Sequence, residues 1–172
     1  MINIGIVGAG YWGQNLIRKF SNLSGACVKK VCDRNVAPLK RVEEKWPEIR
    51  LTSSYHNVIK DKTIDAIAVA TPVSTHHEIS IDALRAKKHV LIEKPLARRY
   101  KDANELVRTV RKSKLILAAG HIMMYHPAVI KTNEMIGNGK VGKLCFAESC
   151  RSNPRPMNCD VDVIWDLAVH DV

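Results

Sequence analysis

Residues 8–13 read Gly-Ala-Gly-Tyr-Trp-Gly, with glycines at 8, 10 and 13 set between an apolar run and a stretch of helical spacing. Each glycine answers a steric need. Gly8 allows a tight turn, Gly10 lets the backbone approach a pyrophosphate, and Gly13 lets a helix pack closely on a strand. The helix start at Tyr11 and Trp12 offers N–H groups and a positive dipole end to phosphate oxygens. Twenty residues after Gly13, at the end of the next apolar run, stands Asp33. Its carboxylate can accept both hydroxyls of an adenosine ribose and repel a 2′-phosphate. The combination predicts a dinucleotide site that prefers NAD over NADP, with Arg34 the residue to pair with a 2′-phosphate if Asp33 turned away.

Two further clusters close apolar runs: Ala70-Thr71-Pro72 followed by His76, and Ile92-Glu93-Lys94-Pro95. The carboxyl ends of parallel strands are where such folds bind ligands. Taken alone, Glu93-Lys94 reads as an ordinary surface ion pair. Asp166 and His170 are four residues apart and share one face of a predicted helix. Alone, they read as a helix-surface pair.

The elements that must position these residues alternate along the chain. Apolar runs at 2–7, 27–32, 66–70, 89–92 and 116–119 read as buried strands, and 12–21, 36–46, 78–85 and 102–111 as crossover helices. That is the pattern of an α/β fold with a doubly wound parallel sheet over residues 1–120. Beyond Gly120 the pattern changes. A helix is expected over 126–136, a turn at Asn138-Gly139, a single strand over 144–151 that must find a partner, a loop over 152–160 and a helix over 163–172. Residues 121–172 thus read as the start of a second domain.

Composition sets the outer bounds. Apolar residues make up 46% and charged residues 26%, a soluble globular balance, and no stretch nears the roughly 20 apolar residues of a membrane span. The first residues read as a strand rather than a secretory signal, so a cytoplasmic protein with no membrane partner is expected. Five cysteines, an odd number without a C-x-x-C pair, signal neither a disulfide framework nor a metal site. The net charge of +10 comes from scattered doublets with no interleaved aromatics, so nucleic acid is not the expected partner.

In chain order, Gly8-x-Gly10-x-x-Gly13, Thr71-Pro72 with His76, Glu93-Lys94-Pro95 and Asp166-x-x-x-His170 resemble the Gfo/Idh/MocA family of oxidoreductases. The resemblance spans the whole chain. It implies a Rossmann domain over 1–120, then the truncated start of an α+β open-sheet domain for substrate binding and oligomerisation over 121–172, and it leaves a homo-oligomer open. It implies Lys94 beside the reacting carbon with Asp166 and His170 as partners. Thr71, Pro72, His76 and Glu93 then join Gly8, Gly10, Tyr11, Trp12, Gly13, Asp33 and Arg34 as cofactor contacts.

Hydride transfer from a secondary alcohol needs a base for the hydroxyl proton, a role that suits His170, while a Lys94 ammonium would hold the substrate oxygen and stabilise developing negative charge, and Asp166 would orient the imidazole or bind the substrate. The implied substrates are sugars or nucleotide-linked sugars. Residues 126–144 and 165–170 most resemble nucleotide-sugar 3-dehydrogenases and 3-ketoreductases. Turnover is expected to be impaired in the chain as given. A non-catalytic NAD-binding module is the alternative; it would have no need of Lys94, Asp166 and His170.

Overall fold

A computed structural model describes residues 1–150, together with Ile164 and Ala168. Contacts divide the chain into Met1–Gly120 and His121–Val172.

The first unit is built on six parallel strands: β1 (Ile2–Val7), β2 (Ala26–Cys32), β3 (Arg50–Thr52), β4 (Ala66–Val69), β5 (His89–Ile92) and β6 (Leu117–Ala119), in the order β3-β2-β1-β4-β5-β6. The order reverses between β1 and β4, which is where a doubly wound sheet opens a crevice at its carboxyl edge. Successive side chains alternate between faces. Ile4, Ile6, Val31 and Ala68 therefore pack with Ile17 of α1 (Tyr11–Ser21) and Val42 of α2 (Val36–Lys45). On the other face Val7, Cys32, Val69 and Ile92 pack with Val58 of α3 (His56–Ile59), Ile79 and Leu84 of α4 (His76–Arg85) and Leu106 of α5 (Tyr100–Arg111). Burial of each such aliphatic side chain contributes roughly 1.5–3 kcal/mol. With both faces covered, the central strand β4 and the later part of β1 have no polar face to display, which is why they read as continuous apolar runs.

The predicted doubly wound α/β sheet is what forms. β3 and α3, with three and four residues, were not anticipated, since neither is long enough to show a period.

In the second unit, α6 (Pro127–Gly137) starts with Pro127 in its first turn, and the His126 ring accepts a hydrogen bond from Ala128 N at 3.2 Å. It ends in paired bonds, Lys140 N to Met135 O and Gly139 N to Ile136 O, the pattern of a Schellman cap. The expected turn at Asn138-Gly139 is thus the end of this helix. The expected strand over 144–151 is corrected: residues 144–150 form no strand among the described residues. A lone strand has no ladder to satisfy its backbone groups, and apolar alternation alone does not supply one. The expected loop at 152–160 and helix at 163–172 lie outside the described residues, apart from Ile164 and Ala168. No helix among the described residues is long and apolar enough to cross a membrane.

Candidate cofactor and active site

The turn that leaves β1 is fixed by backbone geometry. Gly8 has a φ of 97°, and a Cβ there would stand 2.5 Å from Ala70 O and 2.9 Å from Thr71 N, so the turn presses directly on the end of β4. A Cβ on Gly13 would overlap the Gly8 carbonyl oxygen. At Gly10 the situation is the opposite, because nothing lies within 4 Å of where a Cβ would stand. That open space lies at the N-terminus of α1, for which Gly10 is the cap. The first N–H groups of a helix have no acceptor within it.

Asp33 stands against this turn. Its Oδ2 accepts from Ala9 N at 2.7 Å and its Oδ1 from Asn35 N at 2.9 Å. Each carboxylate oxygen keeps a further lone pair, so acceptor capacity remains beside the turn. The residues present therefore fit a dinucleotide: an open cradle at Gly10, a helix N-terminus, and a half-buried carboxylate at the end of β2. Tyr11 and Trp12 project from the first turn of α1, 74% and 44% exposed, with their rings edge to face at 5.8 Å. Arg34 is exposed. Beside them, burial and then the Asp33 charge push the Cys32 thiol up to about 11, which keeps it a thiol at neutral pH.

At the ends of β4 and β5 the geometry is made by side chains. Thr71 Oγ1 accepts from Thr75 Oγ1 at 2.8 Å. Glu93 N donates to Val69 O, and Glu93 Oε2 accepts from Lys94 N at 3.3 Å. Burial raises the Glu93 carboxyl above its ordinary value, while the hydrogen bond and charge of Lys94 oppose the rise. The Lys94–Pro95 peptide is cis.

His76, expected as a cofactor contact, lies within the protein at the start of α4. It is 1% exposed, and its ring nitrogens lie 2.7 Å from Thr71 O and 2.9 Å from Pro95 O. A ring enclosed in this way is turned to the protein's own backbone.

Sequence reasoning missed Gly120, which follows β6 and donates its N–H to Ile92 O at 2.7 Å. A Cβ there would come within 2.9 Å of Glu93 Oε2 and 3.3 Å of Glu93 Cα. Its only signal was a glycine at a strand end. Asp166 and His170 lie outside the described residues. Among the described residues, no group of three His, Cys, Asp or Glu side chains could hold a metal ion.

The chain is 31% identical over 169 residues to the UDP-N-acetylglucosamine 3-dehydrogenase of Acidithiobacillus ferrooxidans, covering 98% of this chain and 51% of that protein. It is 32% identical over 152 residues to the 2,7-anhydro-N-acetylneuraminate hydratase of Escherichia coli, covering 88% and 40%. Among solved structures it superimposes on KijD10, a 3-ketoreductase from Actinomadura kijaniata in complex with NADP and TDP-benzene, with a TM-score of 0.73, 26% identity, and coverage of 80% and 42%. The chain spans about half the length of the curated relatives it matches. Residues 2–121 match the GFO_IDH_MocA model, described as an oxidoreductase family with an NAD-binding Rossmann fold, and the chain belongs to that family.

Proposed function

We propose that this chain supplies the cofactor site and the reacting lysine of an NAD-dependent dehydrogenase acting on a secondary alcohol of a sugar or nucleotide-linked sugar. The observation that carries the reading is the Asp33 carboxylate at 2.7 Å from the glycine-turn amide, beside the open position at Gly10. An anionic acceptor there suits free ribose hydroxyls and disfavours a 2′-phosphate, so NAD is the better partner. A relative named a UDP-N-acetylglucosamine 3-dehydrogenase and a 3-ketoreductase solved with TDP-benzene support the substrate class. Four free cysteines among the described residues support a reducing cytoplasm.

In this reading Gly8, Gly10 and Gly13 shape the pyrophosphate turn, Tyr11 and Trp12 flank it, Asp33 holds the adenosine ribose and Arg34 lies at its rim. Thr71, Pro72 and Glu93 stand at the nicotinamide side. The bound nicotinamide supplies hydride acceptance and donation. Lys94 places its ammonium at the substrate oxygen and stabilises negative charge that develops there. His170 removes the hydroxyl proton and Asp166 orients the ring. Residues 121–172 begin the domain that carries the substrate.

The test is direct. The chain should bind NADH more tightly than NADPH in a fluorescence titration. In the enzyme with a complete substrate domain, Lys94→Ala should retain that binding and lose about 100-fold or more in kcat on a nucleotide-sugar panel, the scale of removing one transition-state donor. Wild-type turnover in that variant would return Lys94 to a surface role.

A further inference from the structure

We propose that His76 is a positioning residue that ties the turn after β4 to the turn after β5 and thereby aims Lys94. The proposal rests on the reading of Lys94 as the residue beside the reacting carbon.

The imidazole begins α4 and is 1% exposed, with Nε2 at 2.7 Å from Thr71 O and Nδ1 at 2.9 Å from Pro95 O. These two oxygens are carbonyls, which only accept. In either neutral tautomer the ring donates to one of them, and a doubly protonated ring donates to both. The two turns it joins have distinct attachments. Thr71 adjoins the glycine turn, since the space at Gly8 is closed by Ala70 O and Thr71 N. Pro95 directly follows Lys94, whose own N–H reaches Glu93 Oε2 at 3.3 Å. The ring therefore stands in a chain of contacts running from the cofactor turn to the lysine. The ring is enclosed, and it acts through the backbone it holds.

The chemical consequence follows from the sensitivity of hydride and proton transfer to alignment: a displacement of about 1 Å can reduce rate about 100-fold. Cofactor binding at Gly8–Gly13 and Asp33 does not depend on the Pro95 carbonyl. A residue that merely supports the core would, on removal, lower stability, binding and turnover together. A positioning residue would lower turnover selectively.

His76→Ala and His76→Asn would be compared with wild type. In the 172-residue chain, amide resonances and NADH Kd are measured; in the enzyme with a complete substrate domain, kcat and KM. The expected result is that Lys94 and Leu96 amide resonances move in both variants by more than those of residues 8–13, and that the Kd for NADH rises by far less than kcat falls. kcat should fall by about 100-fold in His76→Ala, with partial recovery in His76→Asn, whose amide can still donate to one carbonyl. Unmoved Lys94 and Leu96 resonances, or an unchanged kcat in His76→Asn, would overturn the proposal. Full activity in the His76 variants with an inactive Lys94→Ala sinks the positioning role alone. An active Lys94→Ala sinks the reading beneath it.

Discussion

The two halves of the sheet's carboxyl edge are built by different means. Around β1 and β2 the site is main chain: a glycine at φ 97°, a second against its carbonyl, and one carboxylate bonded to a turn amide. Around β4 and β5 it is side chain: a histidine between two carbonyls, a half-buried glutamate over Gly120, and a lysine next to that glutamate. A main-chain site tolerates almost no substitution at Gly8 and Gly13, because the added atom meets backbone that cannot rotate away. A side-chain site can lose one member and keep its outline. The first half should therefore fail by losing binding and the second by losing rate.

The largest effect should come from Gly8→Val. Its Cβ would meet Ala70 O at 2.5 Å in a backbone region that β-branched residues avoid. A loss of about 3 kcal/mol or more of stability and no measurable NADH binding are expected, read by thermal denaturation and fluorescence. Normal binding in that variant would break the comparison at its root.

Next comes Asp33→Ala. It removes the acceptor of the Ala9 amide and the proposed acceptor of the ribose, and a charged hydrogen bond contributes about 1.5–3 kcal/mol. NADH affinity should fall about 10- to 100-fold with NADPH much less affected, so the ratio of the two Kd values is the quantity to measure. An equal loss for both would mean that Asp33 supports only the turn.

The same contrast explains what was legible in the sequence. The spacing of Gly8, Gly10, Gly13 and Asp33 is a local record of a backbone shape, and it could be read without a structure. Long apolar runs such as Ile2–Val7 reveal strands because both faces are buried. Arg50–Thr52 has too few residues to show a pattern, and it forms because Lys30, Val31 and Cys32 offer an edge to pair with. The 144–151 segment has the alternation of a strand but lacks a partner over its described residues. The burial of His76 and the approach of Gly120 to Glu93 join residues 19 and 27 positions apart. Spacing along one chain does not encode such contacts.

The smallest effect should come from Glu93→Gln. Burial raises the Glu93 carboxyl, and the hydrogen bond and charge of Lys94 offset part of that rise. A group whose pKa is raised by folding binds its proton more tightly in the native state, so its contribution is fully present at low pH and is lost as pH rises through the folded value. Above pH 4.5, the ordinary value, the ionised carboxylate thus costs stability that a glutamine of similar shape does not. The carboxyl is only half-buried, so solvent screens much of this cost. The gain for Glu93→Gln at pH 7 should be at most about 1 kcal/mol, or roughly 3 °C in Tm, and should vanish at pH 4. NADH binding should weaken by less than in Asp33→Ala, and kcat should fall because the carboxylate accepts from the Lys94 amide. Thermal scans of both proteins from pH 4 to 8 check the sign. A Tm difference that is constant across that range would show that ionisation of Glu93 carries no cost, and that its fit against Gly120 is a matter of shape alone.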